Sequence, residues 1–154
     1  MVMKNYTEQA QNLIKAIDIA IDALRKHPPN NFQPEHIEHT INCYLDWRDG
    51  IINAESKYKN IRSLKYDIEN VFTFFQESSG KTVDYFWQEI KKNELPYKRE
   101  NRLTKILKRG KIRSQIEYDF ILDVLIPYQQ ERIIEKSDFE RIKVLLAEYE
   151  KRRE

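Results

Sequence analysis

The sequence predicts an all-α fold: a single-domain bundle of about seven helices over residues 1–154, including one long central helix. Three observations lead there. Apolar residues recur at intervals of three and four along nearly the whole chain, the period of a helix with one face turned to a core rather than the alternation of a strand. Only 3 glycines and 5 prolines punctuate 154 residues, which leaves few turns for many short strands. Two serine-led capping signatures, Ser114-Gln-Ile-Glu117 and Ser137-Asp-Phe-Glu140, stand directly before apolar runs.

In chain order, Leu13, Ile14, Ile17, Ala20, Ile21 and Leu24 share one face of a first helix over about Thr7–Lys26, which stops before Pro28-Pro29. Pro34 suits the first turn of a second helix with Ile37, Ile41, Tyr44 and Leu45 inward, reaching at least Arg48, and Asp49-Gly50 marks a break. From Ile51 to Glu77 no proline or glycine interrupts a stripe of Tyr58, Ile61, Leu64, Ile68, Val71, Phe72 and Phe75, so one long helix is expected there, ended by Ser78-Ser79-Gly80. Val83, Phe86, Trp87 and Ile90 form the apolar face of a short helix before Pro96. A basic helix follows, with Leu103, Ile106 and Leu107 inward and Gly110 as its stop. The first capping signature opens an apolar helix carrying Ile116, Phe120, Ile121, Val124, Leu125 and Tyr128, which Pro127 should kink or end. The second opens the last helix, with Phe139, Ile142, Leu145, Leu146 and Tyr149 inward. No internal repeat or linker composition divides the chain.

With 40% hydrophobic residues, 18 of them aromatic side chains, the chain has material for a core and is not expected to be disordered despite 34% charged residues. The single cysteine, Cys43, forms no intramolecular disulfide and is expected to act as a small buried hydrophobe. There is no apolar signal core near the start and no run approaching a membrane span, which leads to the expectation of a soluble, cytoplasmic protein with no membrane role.

Tests for chemistry return little. Ser79-Gly80-Lys81-Thr82 resembles the tail of a phosphate-binding loop, but the required glycine position is Phe75, within a helix. His36 and His39, with Glu35 and Glu38, have neither the zinc-protease spacing nor the Glu-x-x-His pairs of a di-iron bundle, and read as solvated first-turn residues. Asp18, Asp22, Asp46 and Asp49 read as exposed helix-face acids. No nucleophile elbow is present, so no catalytic residue, metal or cofactor is expected and the chain reads as a non-enzyme.

The distinctive segment is Lys98–Arg113, with eight basic residues against Glu100. The rest of the chain carries 19 Lys+Arg and 24 Asp+Glu, so a formal charge of +2 conceals a segment at +7 on a body at −5. Lys98, Arg102, Lys105 and Arg109 are expected on one helical face, and with Lys108, Lys111 and Arg113 they form a candidate partner-binding patch. Trp47 and Phe74 fall off their apolar stripes and are candidate interface aromatics. The functional expectation is a non-catalytic helical binding protein engaging a macromolecular partner, most plausibly a protein, in the manner of immunity, antitoxin or regulatory-inhibitor proteins. The alternative is a nucleic-acid-associated protein using residues 98–113 on the phosphate backbone. The helix after the Gly110–Ser114 turn is too acidic and apolar to enter a major groove, and no aromatic residue interrupts the basic segment to stack on bases.

Overall fold

A computed structural model describes residues 2–153, and their side chains from Asn5 onward. Among these residues there are seven α-helices and no strand: α1 (Val2–Lys26), α2 (Pro34–Ile52), α3 (Ile61–Glu77), α4 (Lys81–Lys92), α5 (Thr104–Arg109), α6 (Gln115–Gln130) and α7 (Lys136–Arg153). The all-α expectation holds. The backbone groups into two compact units, one of Met1–Phe75 with Gly80–Lys98 and one of Gln76–Ser79 with Arg99–Glu154. Each has its own apolar core, although no linker composition announced a division.

In the first unit, α1 packs against both α2 and α4. Ala16, Ala20 and Ala23 are fully buried among Leu13, Ile17 and Leu24, and these small side chains let the neighbouring backbones approach. Around them Phe75 lies parallel to Phe86 at 3.8 Å, with Phe72 and Trp87 edge-on to Phe86 at 5.7 and 5.0 Å. The polar tips of the buried aromatics are satisfied by carbonyls of α3: the Tyr44 hydroxyl donates to Val71 and the Trp87 indole to Phe75, both at 2.8 Å. Burial drives the Tyr44 hydroxyl's pKa well above its ordinary value and that of Tyr97 up to about 12.

The expected helix from Ile51 to Glu77 is not continuous. The second helix runs through Gly50 to Ile52, a single 3-10 turn follows at Ser56–Tyr58, and α3 begins only at Ile61. The Asn60 side chain accepts the Ser63 amide at 2.9 Å and so caps α3, while Tyr58, assigned to the stripe, is exposed. Gly50 lies in the exposed side of α2 with open space where a β-carbon would stand. Gly50→Ala is therefore expected to stabilise the first unit by about 1 kcal/mol, measured by urea denaturation followed through Trp47 and Trp87 fluorescence.

In the second unit α6 packs on α7, and α5 touches α7. Leu103, Ile112, Ile121, Val124, Tyr128 and Ile142 are fully buried. Ser114 caps α6 as expected, accepting the Glu117 amide at 3.2 Å. Pro127 does not end α6, which continues to Gln130 and closes with Arg132 in the left-handed region and Ile133 donating to the Tyr128 carbonyl at 2.8 Å. The last helix starts at Lys136, so Ser137 lies inside its first turn rather than capping it.

Candidate functional site

The basic segment is not one helix. Lys98 groups with the first unit, and the chain from Arg99 to Leu103 is irregular before the six-residue α5. The reason is local and tertiary together. The Asn101 side chain accepts the Leu103 amide at 2.9 Å, an alternative to a helical bond. Arg99 turns inward, its side chain 3% exposed, donating to Glu131 at 2.8 Å and to the Ser78 carbonyl at 2.6 Å beneath the Tyr128 ring. The expected single face of Lys98, Arg102, Lys105 and Arg109 therefore does not form.

Two more of the eight cations are held by carboxylates. Arg102 lies 3.4 Å from Glu100, and Arg109 grips Glu117 at two points, 2.8 and 3.0 Å, while also donating to the Lys111 carbonyl. The Arg109 hydrogen bonds hold the Glu117 carboxyl below its ordinary pKa despite the opposing effect of burial, aided by the Arg113 amide at 2.7 Å. Lys105, Lys108, Lys111 and Arg113 remain exposed.

Within this unit α5 and the first half of α6 wall a groove of about 1010 Å³. Arg102, Lys105 and Lys108 are among its basic lining, Asp119 and Asp123 among its acidic lining, and Ile116 and Phe120 supply apolar surface. Burial, with Asp119 adding like charge, raises the pKa of the Asp123 carboxyl. Ile116, assigned to the core of α6, is instead 82% exposed; Leu122 and Ile126, at 51% and 49%, are exposed farther along the helix, outside the groove's lining. The exposed side of α6 mixes these residues with Gln115, Asp119, Asp123 and Gln130.

A second assembly of charge was not anticipated. Arg152 donates to the Ile112 carbonyl at 3.1 Å and Arg153 to the Gln115 side chain at 2.9 Å, placing the end of α7 beside the turn that carries Lys111 and Arg113. Arg141 adjoins the same turn: a β-carbon at Gly110 would stand 3.3 Å from its guanidinium. The triplet Lys151-Arg152-Arg153 was visible in the sequence, but nothing there joins it to a turn some 40 residues away.

The two candidate aromatics are half-buried and belong to the first unit's packing. Trp47 stands edge-on to Tyr44 at 4.9 Å, and Phe74 lies against Phe75 at 5.1 Å and Phe32 at 5.7 Å. Cys43 is half-buried rather than in the core, its Sγ 3.7 Å from His39 Nε2 one helical turn away. Asp18 and Asp22 are likewise engaged, the first with Arg48 at 2.8 Å and the second accepting the Tyr85 hydroxyl. Among the described residues no cluster of three or more histidine, cysteine or carboxylate side chains is placed to hold a metal, and no helix is long and apolar enough to cross a membrane. No protein-family model, curated protein or solved structure matches the chain.

Proposed function

We propose that the chain is a non-catalytic helical binding protein whose partner is a protein, met by the second unit through the groove between α5 and α6. The observation that carries this reading is Ile116, 82% exposed on the wall of the groove beside Phe120. Exposing an isoleucine forgoes about 1.5–3 kcal/mol relative to burying it, which a partner seated in the groove would recover. The groove's charges specify the chemistry of the partner. An amphipathic helix fits it, with its apolar stripe on Ile116 and Phe120, acids toward Lys105 and Lys108, and bases toward Asp119 and Asp123. Occluding a partner in this way, as immunity proteins and regulatory inhibitors do, requires no reacting group from the fold.

The test compares tagged wild-type protein with Ile116→Asp, recovered from cells after cross-linking. Ile116 is 82% exposed, so the variant should fold with stability changed by only about 0.5 kcal/mol. One stoichiometric protein retained by the wild type, cross-linked to Lys105 or Lys108 and lost from the variant, is the expected result. Identical recovery with both proteins overturns the reading. A species of twice the chain mass that the substitution splits would make the partner a second copy.

A further inference from the structure

We propose that the end of the second unit where α5, the Gly110–Ser114 turn and the last turn of α7 meet is a separate face that binds the phosphate backbone of a nucleic acid. It shares Lys108 with the rim of the α6 groove and otherwise stands on separate contacts. Lys108, Lys111 and Arg113 come from one segment, and Arg141, Arg152 and Arg153 come from α7. Arg152 and Arg153 hydrogen-bond to a backbone carbonyl and a side-chain amide, both uncharged, so their positive charge stays uncompensated by those contacts.

Of the neighbouring carboxylates, Glu117 is held by Arg109 at two points, while Glu150 accepts the neutral Tyr118 hydroxyl and keeps its charge near Arg153. Six cations outweigh that one acid, and each phosphate they neutralise releases condensed counterions.

Aromatic geometry favours a nucleic acid over an acidic protein. The basic segment lacks an interleaved aromatic, but α7 brings Tyr149 to it. The Arg153 guanidinium lies 5.0 Å from the Tyr118 ring and 5.8 Å from that of Tyr149, and Arg152 lies 5.5 Å from Tyr149. Tyr118 and Tyr149 are themselves 5.2 Å apart. Arginine guanidinium groups and tyrosine rings grouped this closely supply the side-chain types on which unpaired bases stack, alongside the donors that bind phosphate. The turn reads no base edge, so binding should carry little sequence preference.

The experiment is fluorescence anisotropy of the full chain with labelled random single strands and duplexes, across a salt series starting near 50 mM. Two variants are compared, each confirmed folded by circular dichroism: Lys111→Gln/Arg113→Gln on the turn and Arg152→Gln/Arg153→Gln on α7. Wild type should bind both probes, with affinity falling steeply with salt. Each variant should weaken binding about tenfold or more at low salt and flatten the log–log salt slope by about 0.7–0.9 per contact removed. No binding at the lowest salt overturns the proposal, as does an α7 variant that binds like wild type. Equal affinity for a polyglutamate chain, or binding only to anionic lipid vesicles, also overturns it by assigning the face to another polyanion. Ile116→Ser, which opens the groove's apolar wall without adding charge, should bind nucleic acid as wild type does, so failure of this face and failure of the groove are read separately.

Discussion

Phe86→Ala is expected to destabilise the first unit by about 4 kcal/mol. Phe86 is fully buried and sits at the centre of the aromatic cluster, face to face with Phe75 at 3.8 Å and edge-on to Phe72 and Trp87. Removing the ring abolishes three aromatic contacts and opens a void that rigid neighbours fill poorly. Phe75 and Trp87 are joined by the indole hydrogen bond to the Phe75 carbonyl, and Tyr44 is tied to the Val71 carbonyl, so the cluster cannot close freely around the gap. Urea denaturation followed by tryptophan fluorescence measures the loss, because Trp87 borders the gap and Trp47 contacts Tyr44. A loss below about 1 kcal/mol would show that the cluster relaxes into the void, against the close packing inferred here.

That core is legible in the sequence. Val83, Phe86, Trp87 and Ile90 lie on one face of α4 between a glycine and a proline, and the alanine-rich face of α1 is closed by Pro28-Pro29. Strong period and strong punctuation coincide there. The break between α2 and α3 lacks both proline and glycine. It is made by an asparagine side chain replacing a helical hydrogen bond, and Tyr58 happens to fall in phase with the stripe although it is exposed. In α6 the failure has another origin. Ile116 continues the row of Phe120 and Val124 at four-residue spacing but lies at the edge of the apolar side, beside the exposed Asp119 and Asp123, so that row alone did not separate it from Ile121.

The candidate site was legible as a composition and not as a surface. A run of eight cations is plain in the sequence, but Arg99, Arg102 and Arg109 are drawn to Glu131, Glu100 and Glu117, and only the fold chooses those partners. The charge lost from one end of the run is replaced by Arg141, Arg152 and Arg153, which no local spacing connects to Lys111. Charge runs mark where cations are abundant, whereas long-range pairing decides which of them meet solvent.

Arg99 shows what such pairing does for the fold, and Arg99→Ala is expected to cost the second unit about 3 kcal/mol. The guanidinium joins three parts of that unit: the Ser78 carbonyl, the Glu131 carboxylate just beyond α6, and the Tyr128 ring at 5.4 Å. Its Nε has no acceptor among the described residues, so burial is incompletely compensated even in the native arrangement. The Glu131 side chain is 38% exposed and can be resolvated when its partner goes, which keeps the loss at the lower end of the range for a broken buried pair. Arg99→Met separates volume from charge. It restores apolar bulk over Tyr128 without an unpartnered donor and should cost only about 1 kcal/mol. Both tryptophans lie in the first unit, so far-UV circular dichroism must follow this transition while tryptophan fluorescence follows the other unit on the same samples. If Arg99→Ala shifts both signals together, the two units unfold as one cooperative structure. If it shifts the dichroism alone, the ion pair stabilises an autonomous second unit. Equal losses for Ala and Met would make charge, rather than filled volume, the contribution of Arg99.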